Sequence, residues 1–108
     1  MNLPYVRIAE LSAHAGQEVR VRGWVTHLRS SGKVAFVVLR DGTGTLQCVL
    51  VKVSLAPEVW ERYAQLTQET TIEVTGEVRP DKRAPGGFEL GVTDLTIMGS
   101  SPIDYPIQ

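Results

Sequence analysis

The sequence has 108 residues, of which 43% are hydrophobic, and it carries a formal net charge of −1 and a single cysteine. That length suits one domain with one core, and that apolar content excludes a wholly disordered chain. The lone Cys48 excludes a disulfide framework or a cysteine-rich zinc site and makes a reducing compartment the default, while the near-neutral charge confines any nucleic-acid binding to a local patch.

The opening MNLPYVRIAE has no basic region followed by an apolar run, so no secretory leader is expected. No stretch has the length of a transmembrane helix, and a cytoplasmic protein without a membrane partner is the expectation. Residues Val6 to His14 place Ile8, Leu11 and the alanines as a short helix, stopped by Gly16. From Glu18 to Leu28 the chain alternates: Val19, Val21, Gly23 and Val25 fall on one side, and Arg20, Arg22, Trp24 and Thr26 on the other. That period and the β-branched content predict a strand. SSGK at Ser30 to Lys33 is a turn, and Val34 to Arg40 is a second, nearly all-apolar strand. DGTG at Asp41 to Gly44 has hairpin chemistry and leads into a third strand, Thr45 to Lys52.

There the period changes. Pro57 suits the first turn of a helix, and Val59, Trp60, Tyr63 and Leu66 follow at helical spacing, which predicts a helix from about Ala56 to Leu66. Thr70 to Val78 alternates as a fourth strand, RPDKRAPGG at Arg79 to Gly87 is a loop, and Phe88 to Met98 is a fifth strand. The order predicts an all-β domain with small helices over residues 1–99: a five-stranded OB-fold Greek-key barrel with a helix between strands 3 and 4. An SH3-like barrel is the nearest competitor but rarely carries a helix there. Gly23 and Gly76 fall mid-strand, where a barrel bends sharply. The tail GSSPIDYPIQ, with its two prolines, is expected to be linker over residues 100–108.

Catalytic chemistry finds little support. His14 and His27 belong to no metal-spacing motif, Cys48 between Leu46 and Leu50 suits a buried thiol, and RDGTG lacks the lysine of a phosphate-binding loop. Binding chemistry finds more. Arg20, Arg22, Arg29, Lys33 and Arg40 are uninterrupted by any acid, and Arg22, Arg29 and Lys33 become candidate RNA contacts. An OB-fold binds single strands across its first three strands with aromatic stacking and basic flanks. Phe36 can stack on a base, the Gln47 amide can match the edge of uracil, and the Glu89 carboxylate can accept from the adjacent N–H groups of guanine. By pattern alone, Phe36 fits a core position better than a platform. Gln47 and Arg29 fit solvated surface better than a site, and Trp24 fits a barrel-closing role better than stacking.

VRVRGWVTHLRSSGKVAFVVLRDGTGTLQCVL, VTGEVR and ELGV together resemble the N-terminal anticodon-binding domain of class IIb aminoacyl-tRNA synthetases, the aspartyl, asparaginyl and lysyl enzymes. The resemblance covers essentially the whole chain. It implies that Phe36 stacks on the middle anticodon base, a uracil, that Gln47 reads its edge with help from Arg29, and that Glu89 faces the first base, a guanine. The SSGK turn and the SSPIDYPIQ tail look most like asparaginyl enzymes. Aspartyl enzymes, including those that also charge the Asn tRNA, are the rival, and Glu89 disfavours lysyl. The implied partner is a tRNA of Asn or Asp specificity, and the implied parent is a homodimeric ligase using ATP and Mg²⁺. No class II catalytic motif lies in this sequence, so the chain is expected to be a cofactor-free fragment with its tail leading to a catalytic domain. A free-standing single-strand-binding module is the alternative.

Overall fold

A computed structural model describes residues 3–99. The expected linker, residues 100–108, lies outside the described residues. A 3₁₀ segment, Ile8–His14, precedes β1 (Glu18–Ser31), β2 (Val34–Arg40) and β3 (Thr45–Val51). Helix α1 (Pro57–Ala64) follows, then β4 (Thr71–Pro80) and β5 (Phe88–Gly99). The strands close into a barrel in the order β1-β2-β3-β5-β4, with β3 and β5 parallel and the other pairs antiparallel. This is the expected five-stranded barrel, with α1 between β3 and β4.

Alternation fills the barrel. Val19, Val21 and Val25 of β1 point inward with Val37 and Leu39 of β2, Leu46, Cys48 and Leu50 of β3, Ile72 and Val74 of β4, and Leu90 and Leu95 of β5. Burial pushes the Cys48 thiol up to about 12, so it is inert packing. Pro57 opens α1 with its missing N–H where none is needed, and the helix seals the barrel with buried Val59 while Trp60 and Tyr63 pack partly against the core. Trp24 differs from expectation. It stands half-buried on the outer face of β1, because it shares the parity of Arg20 and Arg22.

Two mid-strand glycines permit the bends. A Cβ at Gly23 would sit 2.4 Å from the Arg40 carbonyl oxygen, and one at Gly76 would sit 2.3 Å from that of Gly91. Neighbouring backbone occupies the space a side chain needs. At the open end of β2, Asp41 ties the first 3₁₀ segment to the β2–β3 turn. Its Oδ2 accepts from the Ile8 amide at 2.8 Å, and its Oδ1 accepts from the Thr43 amide at 2.8 Å and the Thr43 hydroxyl at 2.7 Å. Burial disfavours the charged form, but these hydrogen bonds outweigh it and hold Asp41 below its ordinary value.

Gly76→Ala is expected to lose about 1–3 kcal/mol of stability through overpacking, read from the urea midpoint. Asp41→Ala is expected to lose about 1.5–3 kcal/mol at neutral pH, since it leaves donors that bonded a charged acceptor. A depressed folded-state pKa stabilises above the ordinary carboxylate value, and that contribution disappears as pH falls through the folded value. The gap between Asp41→Ala and the parent should therefore shrink in acid; a gap that widens would refute the assignment.

Candidate nucleic-acid interface

Inward alternation leaves Phe36, Val38 and Arg40 on the outside of β2, and Thr45, Gln47 and Val49 on the outside of β3. Strand register then aligns side chains that are remote in sequence. One row crosses the barrel as His27, Val38, Gln47, Glu89 and Arg79, on β1, β2, β3, β5 and β4. The adjacent row runs Arg29, Phe36, Val49, Gly91 and Glu77. Four of the residues singled out in the sequence, Arg29, Phe36, Gln47 and Glu89, thus meet on one face.

Phe36 is half-buried on that outer face, not in the core. The Arg29 guanidinium lies 4.6 Å from its ring centroid. An exposed cation–π contact is worth about 0.5–1 kcal/mol. A base–aromatic stack is worth about 1–3 kcal/mol, so an arriving base can displace the cation. Two depressions meet at Phe36. One, of 480 Å³, is lined by Arg29, Phe36, Gln47, Asp81, Arg83 and Glu89 among others. The other, of 390 Å³, is lined by His27, Leu28, Arg29, Phe36, Val38 and Gln47.

Glu89 sits among opposing influences. Burial raises its pKa above the ordinary glutamate value, and a hydrogen bond with Asp81 and that neighbour's charge push the same way. The Arg79 guanidinium, 3.3 Å away, and a hydrogen bond from Gln47 pull it back. Gly91 makes the Arg79 contact sterically feasible: a Cβ there would lie 2.6 Å from the guanidinium carbon. Asp81 itself is held by the Arg83 amide at 2.9 Å, the largest influence lowering its pKa.

The structure does not bring Arg22 into this groove. Its Nε is 3.1 Å from Glu73 Oε1 and its guanidinium carbon is 4.1 Å from the Tyr5 ring centroid. Seven residues along β1 separate it from Arg29, which at strand rise is about 20 Å. The absence of acids within the basic stretch was misleading, because Glu73 arrives from β4. Lys33 is exposed at the tip of the β1–β2 hairpin, just after Gly32, and lines neither depression. The sequence reading missed His27, Arg79, Asp81 and Arg83. For Asp81 a signal existed, since an aspartate in a Pro/Gly-rich loop commonly accepts from the amide two residues on. For His27 there was none, because strict alternation from Val25 points it inward.

A model of the OB-fold nucleic-acid-binding domain of the tRNA anticodon type matches residues 19–98. The chain belongs to this family. It is 48% identical over 105 residues to the asparagine–tRNA ligase of Symbiobacterium thermophilum, covering 97% of this chain and 24% of that protein. The crystal structure of asparaginyl-tRNA synthetase from Pyrococcus horikoshii, complexed with asparaginyl-adenylate, is 35% identical with a TM-score of 0.81, over 95% of this chain and 24% of that one. The aspartyl-tRNA synthetase of Entamoeba histolytica is 27% identical with a TM-score of 0.74, over 97% of this chain and 23% of that one. The domain therefore spans about a quarter of the length of the curated relatives it matches. Among the described residues no helix is long and apolar enough to cross a membrane.

Arg79→Ala removes the cation that opposes burial at Glu89, so the Glu89 titration is expected to move further up, followed by carboxyl NMR. An unmoved titration would mean that the ion pair does not form in solution.

Proposed function

We propose that this domain recognises the anticodon loop of the Asn tRNA as the N-terminal part of an asparaginyl-tRNA synthetase. The observation that carries this reading is the convergence of Arg29, Phe36, Gln47 and Glu89 on adjacent cross-strand rows of one face. The middle uracil stacks on Phe36. Its N–H and a neighbouring carbonyl pair with the Gln47 amide, which offers one acceptor and two donors. Arg29, displaced from the ring, donates to the uracil or an adjacent phosphate. The first base, guanine, presents two adjacent N–H donors, and ionised Glu89 accepts both while Arg79 neutralises its far side. Lys33, at the hairpin tip, contributes local attraction to the backbone; Arg22 has no part in base reading.

The curated relatives at 42–48% identity are asparagine–tRNA ligases, which supports Asn specificity. Ligation of asparagine, with ATP and Mg²⁺, belongs to a catalytic part outside this sequence, as does the contact of a homodimer, and the parent acts in the cytoplasm. No cofactor is assigned to this domain. Among its described residues no group of three or more His, Cys, Asp or Glu is arranged to hold a metal ion.

Titration with three labelled anticodon stem-loops at fixed low salt tests the reading. Loops with GUU and GUC should bind, and GCU, with the middle uracil replaced, should bind more weakly by about 1–3 kcal/mol. A GUU preference over GUC supports Asn specificity, and equal binding of these two supports a relaxed aspartyl enzyme. Equal binding of all three would remove the role given to Gln47 at the middle base; all three loops begin with guanine, so Glu89 is tested separately. Phe36→Ala should weaken GUU binding by about 1–3 kcal/mol while the domain stays folded.

The first-base contact also has a pH signature. Guanine needs the carboxylate, so GUU affinity should fall as pH drops through the raised Glu89 pKa, by up to about tenfold per pH unit. Glu89→Gln should flatten that dependence, and an unchanged profile in Glu89→Gln would exclude Glu89 as the first-base reader.

A further inference from the structure

Arg29 reaches the binding face only because β1 changes phase. Through Val25 the odd-numbered residues of β1 point into the barrel and the even-numbered ones point out. Were that alternation unbroken, Arg29 would point inward. The register slips between Val25, opposite Leu39, and His27, opposite Val38, leaving no β2 residue directly opposite Thr26. This is a β-bulge, in which one extra residue re-aims every side chain beyond it. Past the bulge His27 and Arg29 face outward and Leu28 turns to the core.

Within its own hairpin the bulge has one side-chain bond, from the Thr26 hydroxyl to the Val38 carbonyl at 3.3 Å; its backbone groups are bonded from outside the hairpin. The Thr26 carbonyl accepts from Gln68 Nε2 at 3.1 Å. The Val25 amide donates to the Thr70 carbonyl at 2.8 Å, and the Glu69 amide donates to the Val25 carbonyl at 2.7 Å. Glu69 is the one non-glycine among the described residues with positive φ, at 75°. That conformation is costly for a residue with a Cβ and persists where the surroundings enforce it. The loop is closed on itself as well: the Thr70 hydroxyl donates to the Thr67 carbonyl at 2.7 Å and accepts from the Thr67 amide at 3.1 Å. Its lead-in is Leu66, buried, just past α1.

We propose that the loop Thr67–Thr70, through the Gln68 amide on the Thr26 carbonyl, is the positioning element for Arg29: it fixes the bulge and hence the phase of β1 across the RNA-binding face. The segment inserted between β3 and β4 thereby serves the binding site without touching the ligand. Gln68 is a positioning residue in this scheme. It supplies a donor to a carbonyl that the β1–β2 ladder leaves out, and its effect on RNA runs only through Arg29. The inference rests on the reading that Arg29 contacts the anticodon loop.

The test is a double-mutant cycle on the full chain with the GUU stem-loop, using Gln68→Met, which keeps the side-chain length and removes the donor, and Arg29→Ala. Gln68→Met is expected to weaken binding about threefold to tenfold, and the double variant to bind no more weakly than Arg29→Ala alone, since contacting groups in one chain of interactions do not add. Independent, additive losses would overturn the inference, because a purely structural defect has no reason to vanish when Arg29 is absent. Binding of Gln68→Met equal to the parent, with Arg29→Ala impaired, would overturn it while leaving the anticodon reading intact. An Arg29→Ala variant that binds like the parent would remove the role of Arg29 itself, and with it the inference.

Discussion

The short parallel pairing of β3 with β5 is the constraint on which the rest depends. Gln47, Cys48 and Val49 pair with Glu89, Leu90 and Gly91, and this contact places β5 between β3 and β4 so that the sheet closes. Closure removes the exposed edges that an open five-stranded sheet would present. The same pairing sets Gln47 beside Glu89, two polar side chains far apart in the sequence, with Phe36 one strand away. Stability and recognition therefore share one set of backbone hydrogen bonds. The inward residues Cys48 and Leu90 fill the core, while their immediate neighbours line the outer groove.

Charge on this domain is local and partly cancelled. The net charge of −1 offers no long-range attraction to a polyanion. Within the basic stretch, Arg20 and Arg22 are drawn to Glu73 and the Tyr5 ring, both contributed by other segments. Arg29 stacks on the Phe36 ring. The two ends of one strand thus carry the same residue type for different purposes: one end holds β1 to β4, and the other faces the groove. Around Glu89, burial and Asp81 favour the protonated acid while Arg79 and Gln47 favour the carboxylate.

The order of elements along the chain, from which the barrel was inferred, and the place of the helix were legible in the sequence because each element rests on local periodicity: period two for the strands, helical spacing after Pro57, and turn chemistry at SSGK and DGTG. Alternation grouped Phe36 with Val38 and Arg40, and Gln47 with Thr45 and Val49, but the nearly all-apolar β2 left Phe36 reading as core, and only the structure puts it on the outer face. Gly23 and Gly76 stood out as glycines where strand residues belong, and backbone crowding at both positions is the reason. Strand ends were less legible. β1 extends to Ser31 and β4 to Pro80, since pairing with a neighbour can carry a strand through residues of weak propensity.

What the sequence by itself determined is the set of side chains facing in and out wherever alternation is unbroken, together with the resemblance carried by its motifs. Only the tertiary structure decided the remainder. The bulge at Thr26, past which Arg29 and His27 face outward, is hydrogen-bonded by Gln68, Glu69 and Thr70, from a loop that no window around β1 contains. The pairing of Arg22 with Glu73 and the meeting of Glu89, Asp81 and Arg79 likewise arise from strands adjacent in space and distant in sequence. The physical reason is common to all three: side-chain direction within a strand is a local property of the backbone, whereas the partner a side chain meets is set by register, and register is a property of the closed barrel.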